Sequence, residues 1–138
     1  MMYTDNRNAY RQLFFTVWQK HLKKLPLEIV EAQVLDIILT HPEYHALLSD
    51  PETFMNQEFA LEENPFLHMS LHIALREQLQ MDRPAGIKDV FQNLVTKFGE
   101  MHIAEHQVTT VIAQMMYESQ QTGNVPDEQE YLRRLKEL

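Results

Sequence analysis

The chain has 138 residues, 44% of them hydrophobic and 23% charged, with only three glycines, which suits one helical domain over residues 1–138 with a single substantial core. A formal net charge of −8 and a pI near 5.3 argue against nonspecific attraction to nucleic acid or to an anionic membrane, and favour a metal ion or a cationic partner. With no cysteine there are no disulfides and no thiolate metal sites, so histidine, aspartate and glutamate are the only strong ligands.

The apolar run LFFTVW near the N-terminus is flanked by polar residues and too short for a signal peptide or a membrane span, so the cytoplasm is the expected compartment. The spacing predicts a first amphipathic helix from Asp5 to Lys24, with Tyr10, Leu13, Phe14, Val17, Trp18, His21, Leu22 and Leu25 on its inner side. His21 there reads as a packed or hydrogen-bonded side chain. A second helix is expected to open at Pro26 and to turn Leu27, Val30, Val34, Ile37 and Ile38 inward, with His41 next on that stripe. Pro42 disfavours helical geometry at His41, so this helix stops or kinks there, and His41 and His45 need not form a regular pair. Residues 49–63 read as a long connection with one turn of helix at most.

From Asn64 to Leu79 the sequence reads NPFLHMSLHIALREQL. Asn64 suits an N-cap and Pro65 the first helical position, which predicts a helix over Pro65 to Met81. His68 and His72 share one face of it, in the sector of Leu75 and Leu79 and beside Leu67, Leu71 and Ala74. Glu62 and Glu63 stand at its entry, where they complement the helix dipole. A loop, MDRPAGI, leads to a short helix over Ile87 to Phe98. After Gly99 comes a long helix from Glu100 to Gln121 with a wide apolar arc, bearing His102, Glu105 and His106. A terminal helix over Asp127 to Leu138 turns Tyr131, Leu132, Leu135 and Leu138 inward. Lys20, Lys23, Lys24, Arg133, Arg134 and Lys136 lie near helix ends as solvated charges. The expected fold is all-α, a single compact bundle of five or six helices, with the helices at Pro65 and Glu100 adjacent in its core.

Six of the seven histidines fall in HxxxH pairs: His41 with His45, His68 with His72, and His102 with His106. Random placement gives about 0.3 such pairs over this length, so the pattern asks for a cause. Imidazoles at i and i+4 can grip one metal ion, and two such helices packed together can complete a site. The expected metal ligands are therefore His68, His72, His102 and His106, with His45, His41 or Glu105 completing the shell. Hydrogen-bonded core-edge histidines, or surface histidines without a role, are the competing readings. Zinc, iron, nickel and copper all suit such a site, and residue types alone do not separate them.

Glu105 turns the third pair into HxxEH, the spelling of the inverted zinc-peptidase motif. Those peptidases are larger proteins built on mixed sheets, which excludes that family here. Glu105 remains a candidate catalytic residue as base for a metal-bound water, besides being a possible ligand or an acceptor for an imidazole N–H. A salt bridge to Arg76 or Arg83 is the competing explanation. No histidine has Glu three residues before it, which disfavours the ferritin-like di-iron pattern.

The segments ENPFLHMSLHIALREQ, DRPAGI, MHIAEH and PDEQEYLRRL together resemble a proteobacterial family, domain of unknown function 1841, over nearly the whole chain. The resemblance implies a small stand-alone bacterial protein and brings no activity, substrate or cofactor with it. Two classes of function follow. One is a catalytic or redox metal protein acting on a small-molecule substrate that the sequence does not name. The other is a non-enzymatic helical binding or structural module whose metal is structural or absent. Neither nucleic acid nor a membrane is an expected partner, and the oligomeric state is left open.

Overall fold

The computed structural model describes residues 7–138, and the side chains of all of these except residues 7, 8 and 61. Among the described residues there are eight α-helices and no strand. They are α1 (Arg7–Leu22), α2 (Ile29–Leu39), α3 (His45–Leu48), α4 (Pro51–Phe54), α5 (Pro65–Met81), α6 (Ile87–Phe98), α7 (Met101–Thr122) and α8 (Glu128–Lys136). The all-helical class is as expected, and the count of five or six is corrected to eight. The two additional helices, α3 and α4, have four residues each and lie in the stretch read as turn and connection. Their cause is local. Asp50 accepts a hydrogen bond from the Thr53 amide at 3.3 Å and Pro51 takes the first position of α4, so a cap and a proline start a turn that has no apolar period to extend it. Single 3-10 turns at Pro42–Tyr44 and Leu61–Glu63 complete the irregular region.

The chain divides into two compact units, Met1–Ile73 and Ala74–Leu138, with the boundary inside α5. In the first unit α1 packs on α2 and α3. Its core gathers Phe14, Phe15, Val17 and Trp18 from α1, Val34, Ile37 and Ile38 from α2, Leu48, and Phe66, Met69 and Ile73 from the first half of α5. Burial of each such side chain stabilises the fold by roughly 1.5–3 kcal/mol. In the second unit α6, α7 and α8 pack against one another. Val90, Phe91 and Leu94, then Ala104, Val108 and Met115, then Tyr131, Leu132 and Leu135 are buried there. Arg76 and Gln78, in the second half of α5, join this unit by bonding to Glu105 of α7 and Tyr131 of α8.

Several helix boundaries match the spacing, and one does not. The expected start of α1 at Asp5 lies outside the described residues. α2 opens at Ile29 instead of Pro26, because Lys24 takes a left-handed turn (φ 57°) and Glu28 caps the helix through a reciprocal capping box with Glu31. Glu31 then takes the inward place, sharing a face with Val34 and Ile38, and Lys20 of α1 reaches it at 2.8 Å. Val30, one position away, is therefore turned out and 59% exposed, and Leu22 and Leu25 are also exposed, against the expected inward stripe.

Candidate metal centre

The site begins where α2 ends. Pro42 carries no N–H and crowds a helical neighbour, so His41 leaves the helix with φ −126° and ψ 67°. Its side chain folds back onto the last turn of α2, where Nδ1 lies 2.8 Å from the carbonyl oxygen of Ile37. A carbonyl oxygen only accepts, so Nδ1 carries the proton and donates, and in a neutral His41 the lone pair is on Nε2, on the other side of the ring. The ring is almost fully buried, at 1% exposure. Tyr44 covers one face in a parallel stack with ring centroids 5.5 Å apart. Burial, and secondarily the charge of Glu43, raises the Tyr44 phenol above its ordinary pKa and keeps it protonated.

The other two imidazoles come from α5, whose first turn is fixed as the sequence suggests. Asn64 Oδ1 accepts from the amides of Phe66 and Leu67 at 3.0 and 3.1 Å, and Pro65 occupies the first helical position. One turn separates His68 from His72, and their Nε2 atoms are 3.2 Å apart. His68 Nε2 is also 3.1 Å from His41 Nε2. The three rings form a near-equilateral triangle, with centroids 4.9, 4.8 and 4.8 Å apart and each pair edge-on. The ligand atoms of His41, His68 and His72 lie within 4.8 Å of one another, close enough to hold one metal ion.

The spacing of these ring nitrogens is compatible with one cation at that point. Two metal–imidazole bonds at a tetrahedral angle span about 3.3 Å between nitrogens, close to the 3.1 and 3.2 Å separations here. His41 also has the partner that metal-binding histidines ordinarily have, a carbonyl receiving the other ring N–H.

His45, spelled as the partner of His41, goes elsewhere. Its Nε2 bonds the Ile38 carbonyl at 2.8 Å and its ring stacks on Trp18 at 4.3 Å, so the structure does not bring it to the triad. His102 and His106 lie one turn apart on α7 with ring centroids 4.2 Å apart. Glu105, between them in sequence, is 2% exposed, and each of its carboxylate oxygens lies 3.5 Å from Arg76 Nη2.

Two residues escaped the sequence reading. Thr40 bonds the Ile37 carbonyl through its hydroxyl at 2.8 Å and stands 3.1 Å from His41 Nδ1. Arg11 is 1% exposed, with Nη1 donating to the carbonyls of Phe54, Met55 and Gln57 at 3.3, 3.0 and 2.7 Å and its guanidinium 4.7 Å from the centre of the Phe66 ring. An arginine on the α1 face between Tyr10 and Phe14 was the signal available for it.

No helix among the described residues is long and apolar enough to cross a membrane. No curated protein and no solved structure matches the chain. The family described as domain of unknown function (DUF1841) matches residues 6–137, and the chain belongs to that family.

Proposed function

We propose that this is a metal-binding helical protein in which His41, His68 and His72 grip one transition metal ion. The observation that carries the reading is the convergence of three Nε2 atoms, with the His41 tautomer fixed by the Ile37 carbonyl. Three neutral imidazoles suit zinc, copper, nickel or iron far better than magnesium or calcium, which want oxygen. A metal so held supplies Lewis acidity or, with copper or iron, electron transfer, so hydrolytic and redox chemistry on a small-molecule substrate are both open. His102 and His106 on α7 stay candidate ligands by their spacing. The single-domain reading is kept with the proposal, since the family match spans both units.

The competing reading, a helical module with a structural metal or none, draws on Glu105. Its contact with Arg76 accounts for a buried carboxylate without assigning it any chemistry.

Elemental analysis of protein purified without added metal or an affinity tag tests the proposal. The expected result is about one zinc, copper, nickel or iron per chain, lost in a His68→Ala, His72→Ala variant. Wild-type protein that takes up none of these metals at micromolar concentration overturns it. A His102→Ala, His106→Ala variant with lower metal content keeps the α7 pair among the candidate ligands, and unchanged content removes it.

A further inference from the structure

We infer that the C-terminal end of α2 is a working part of this metal centre, with Thr40 as its positioning residue. The inference rests on the metal reading above and deepens it. His68 and His72 are spaced by a regular helix and need no further support to stay one turn apart. His41 has no such frame, because it sits on a non-helical residue between α2 and Pro42. What holds its ring is the Ile37 carbonyl, which accepts from the Thr40 amide at 3.2 Å, the Thr40 hydroxyl at 2.8 Å and His41 Nδ1 at 2.8 Å.

That carbonyl lies in the last turn of α2, at the negative end of the helix dipole. A partial negative charge facing Nδ1–H draws the proton outward and leaves more electron density on Nε2, which makes His41 a stronger donor to a cation. The Thr40 oxygen, 3.1 Å from the same nitrogen, faces the same proton. A flipped ring would set a C–H against both oxygens, so Thr40 and Ile37 together select the ring orientation and the tautomer that point Nε2 at His68.

The test is cobalt(II) binding by the full chain, wild type beside Thr40→Val, which keeps the branched shape, and Thr40→Ser, which keeps the hydroxyl. Thr40→Val is expected to bind cobalt about 10–100-fold more weakly, with Thr40→Ser close to wild type. In the cobalt-loaded protein the shifted imidazole N–H proton signal that disappears in His41→Ala should exchange faster with solvent in Thr40→Val than in Thr40→Ser. A Thr40→Val protein with wild-type affinity and exchange overturns the role of Thr40. So does one whose metal-free melting temperature falls while its affinity holds, since that is the mark of a helix cap only. Wild-type protein that takes up no cobalt overturns the metal reading itself and this inference with it.

Discussion

Among the described residues of the first unit the most deeply buried polar side chains are the His41 and His72 imidazoles and the Arg11 guanidinium, with His41 and Arg11 tied to backbone carbonyls. Between Ala74 and Leu138 ion pairs stand out: Arg76 with Glu105, Arg134 with Glu118 and Glu130, and Arg133 with Glu130 and Glu137. Buried neutral imidazoles cost little in desolvation and keep a lone pair for a cation, whereas paired charges are self-contained and leave nothing over. The first unit thus sets imidazoles and a guanidinium against backbone carbonyls, and the second sets charge against charge. The first unit has an ion pair too, Lys20 with Glu31, at the entry of α2 and away from the imidazoles at its end.

Removing the buried arginine should give the largest effect. Arg11→Met strips one donor group from the three carbonyls of residues 54, 55 and 57 and removes the cation from the face of Phe66. A loss of about 3 kcal/mol is expected in urea unfolding, with faster proteolytic cleavage in the 54–57 segment. A loss below about 0.5 kcal/mol would mean that water replaces the guanidinium without penalty, and the contrast between the units would lose its anchor.

Metal removal comes next. An ion present at about 100 times its Kd stabilises the folded state by about 2.7 kcal/mol. A chelator should therefore lower the melting temperature of the wild type and leave a His68→Ala, His72→Ala variant almost unmoved. Because binding requires imidazole lone pairs, acidification should release the metal as a chelator does. Equal chelator responses in the two proteins would assign those histidines to the helix edge as structural residues.

How far the sequence could be read follows from which signals are local. The Pro65–Met81 helix was legible to the residue because cap, proline and apolar period agree, and the His68 and His72 pair followed from that periodicity. His41 was legible as a histidine on the α2 stripe but not as the third corner of the triangle. Its direction depends on how Pro42 bends the chain and on a carbonyl that spacing cannot see. The same bend separates His45 from its apparent partner, so identical HxxxH spellings at 41 and 68 lead to different geometries. Arg11 was missed because a hydrophobic-period reading scores an arginine between apolar positions as solvated, while here backbone carbonyls from more than forty residues away compensate its charge.

The buried ion pair of the second unit should show a smaller effect than metal removal. Glu105→Gln weakens the partner of Arg76, and since the Arg76 side chain is 27% exposed, the loss should be about 2 kcal/mol, below the usual range for a fully buried pair. Replacing both residues, Arg76→Met with Glu105→Leu, should recover most of it, because no charge is then left buried. Failure of the double replacement to recover stability would show that Glu105 serves something besides Arg76, and would return it to the list of candidate catalytic groups.

Acid titration of the terminal helix should give the smallest effect, and its sign is fixed by the direction of the shifts. Hydrogen bonds from Arg133 and then Arg134 hold the Glu130 carboxyl at about 2, and Arg134 lowers Glu118 in the same sense. A carboxylate whose folded pKa lies below its unfolded value, about 4.3 for glutamate, contributes its full stabilisation above the unfolded value. That contribution fades as pH falls from about 4.3 through about 2. The groups are solvent-facing, so the contribution is small and screened by salt. Carbon-detected NMR of the glutamate side chains should find Glu130 still ionised at pH 3, below the ordinary glutamate range, and this lowering should shrink in 1 M salt. If Glu130 titrates with the bulk of the glutamates, the second unit is not held by charge at this end. The hold of α8 on its unit would then rest on Tyr131, Leu132 and Leu135.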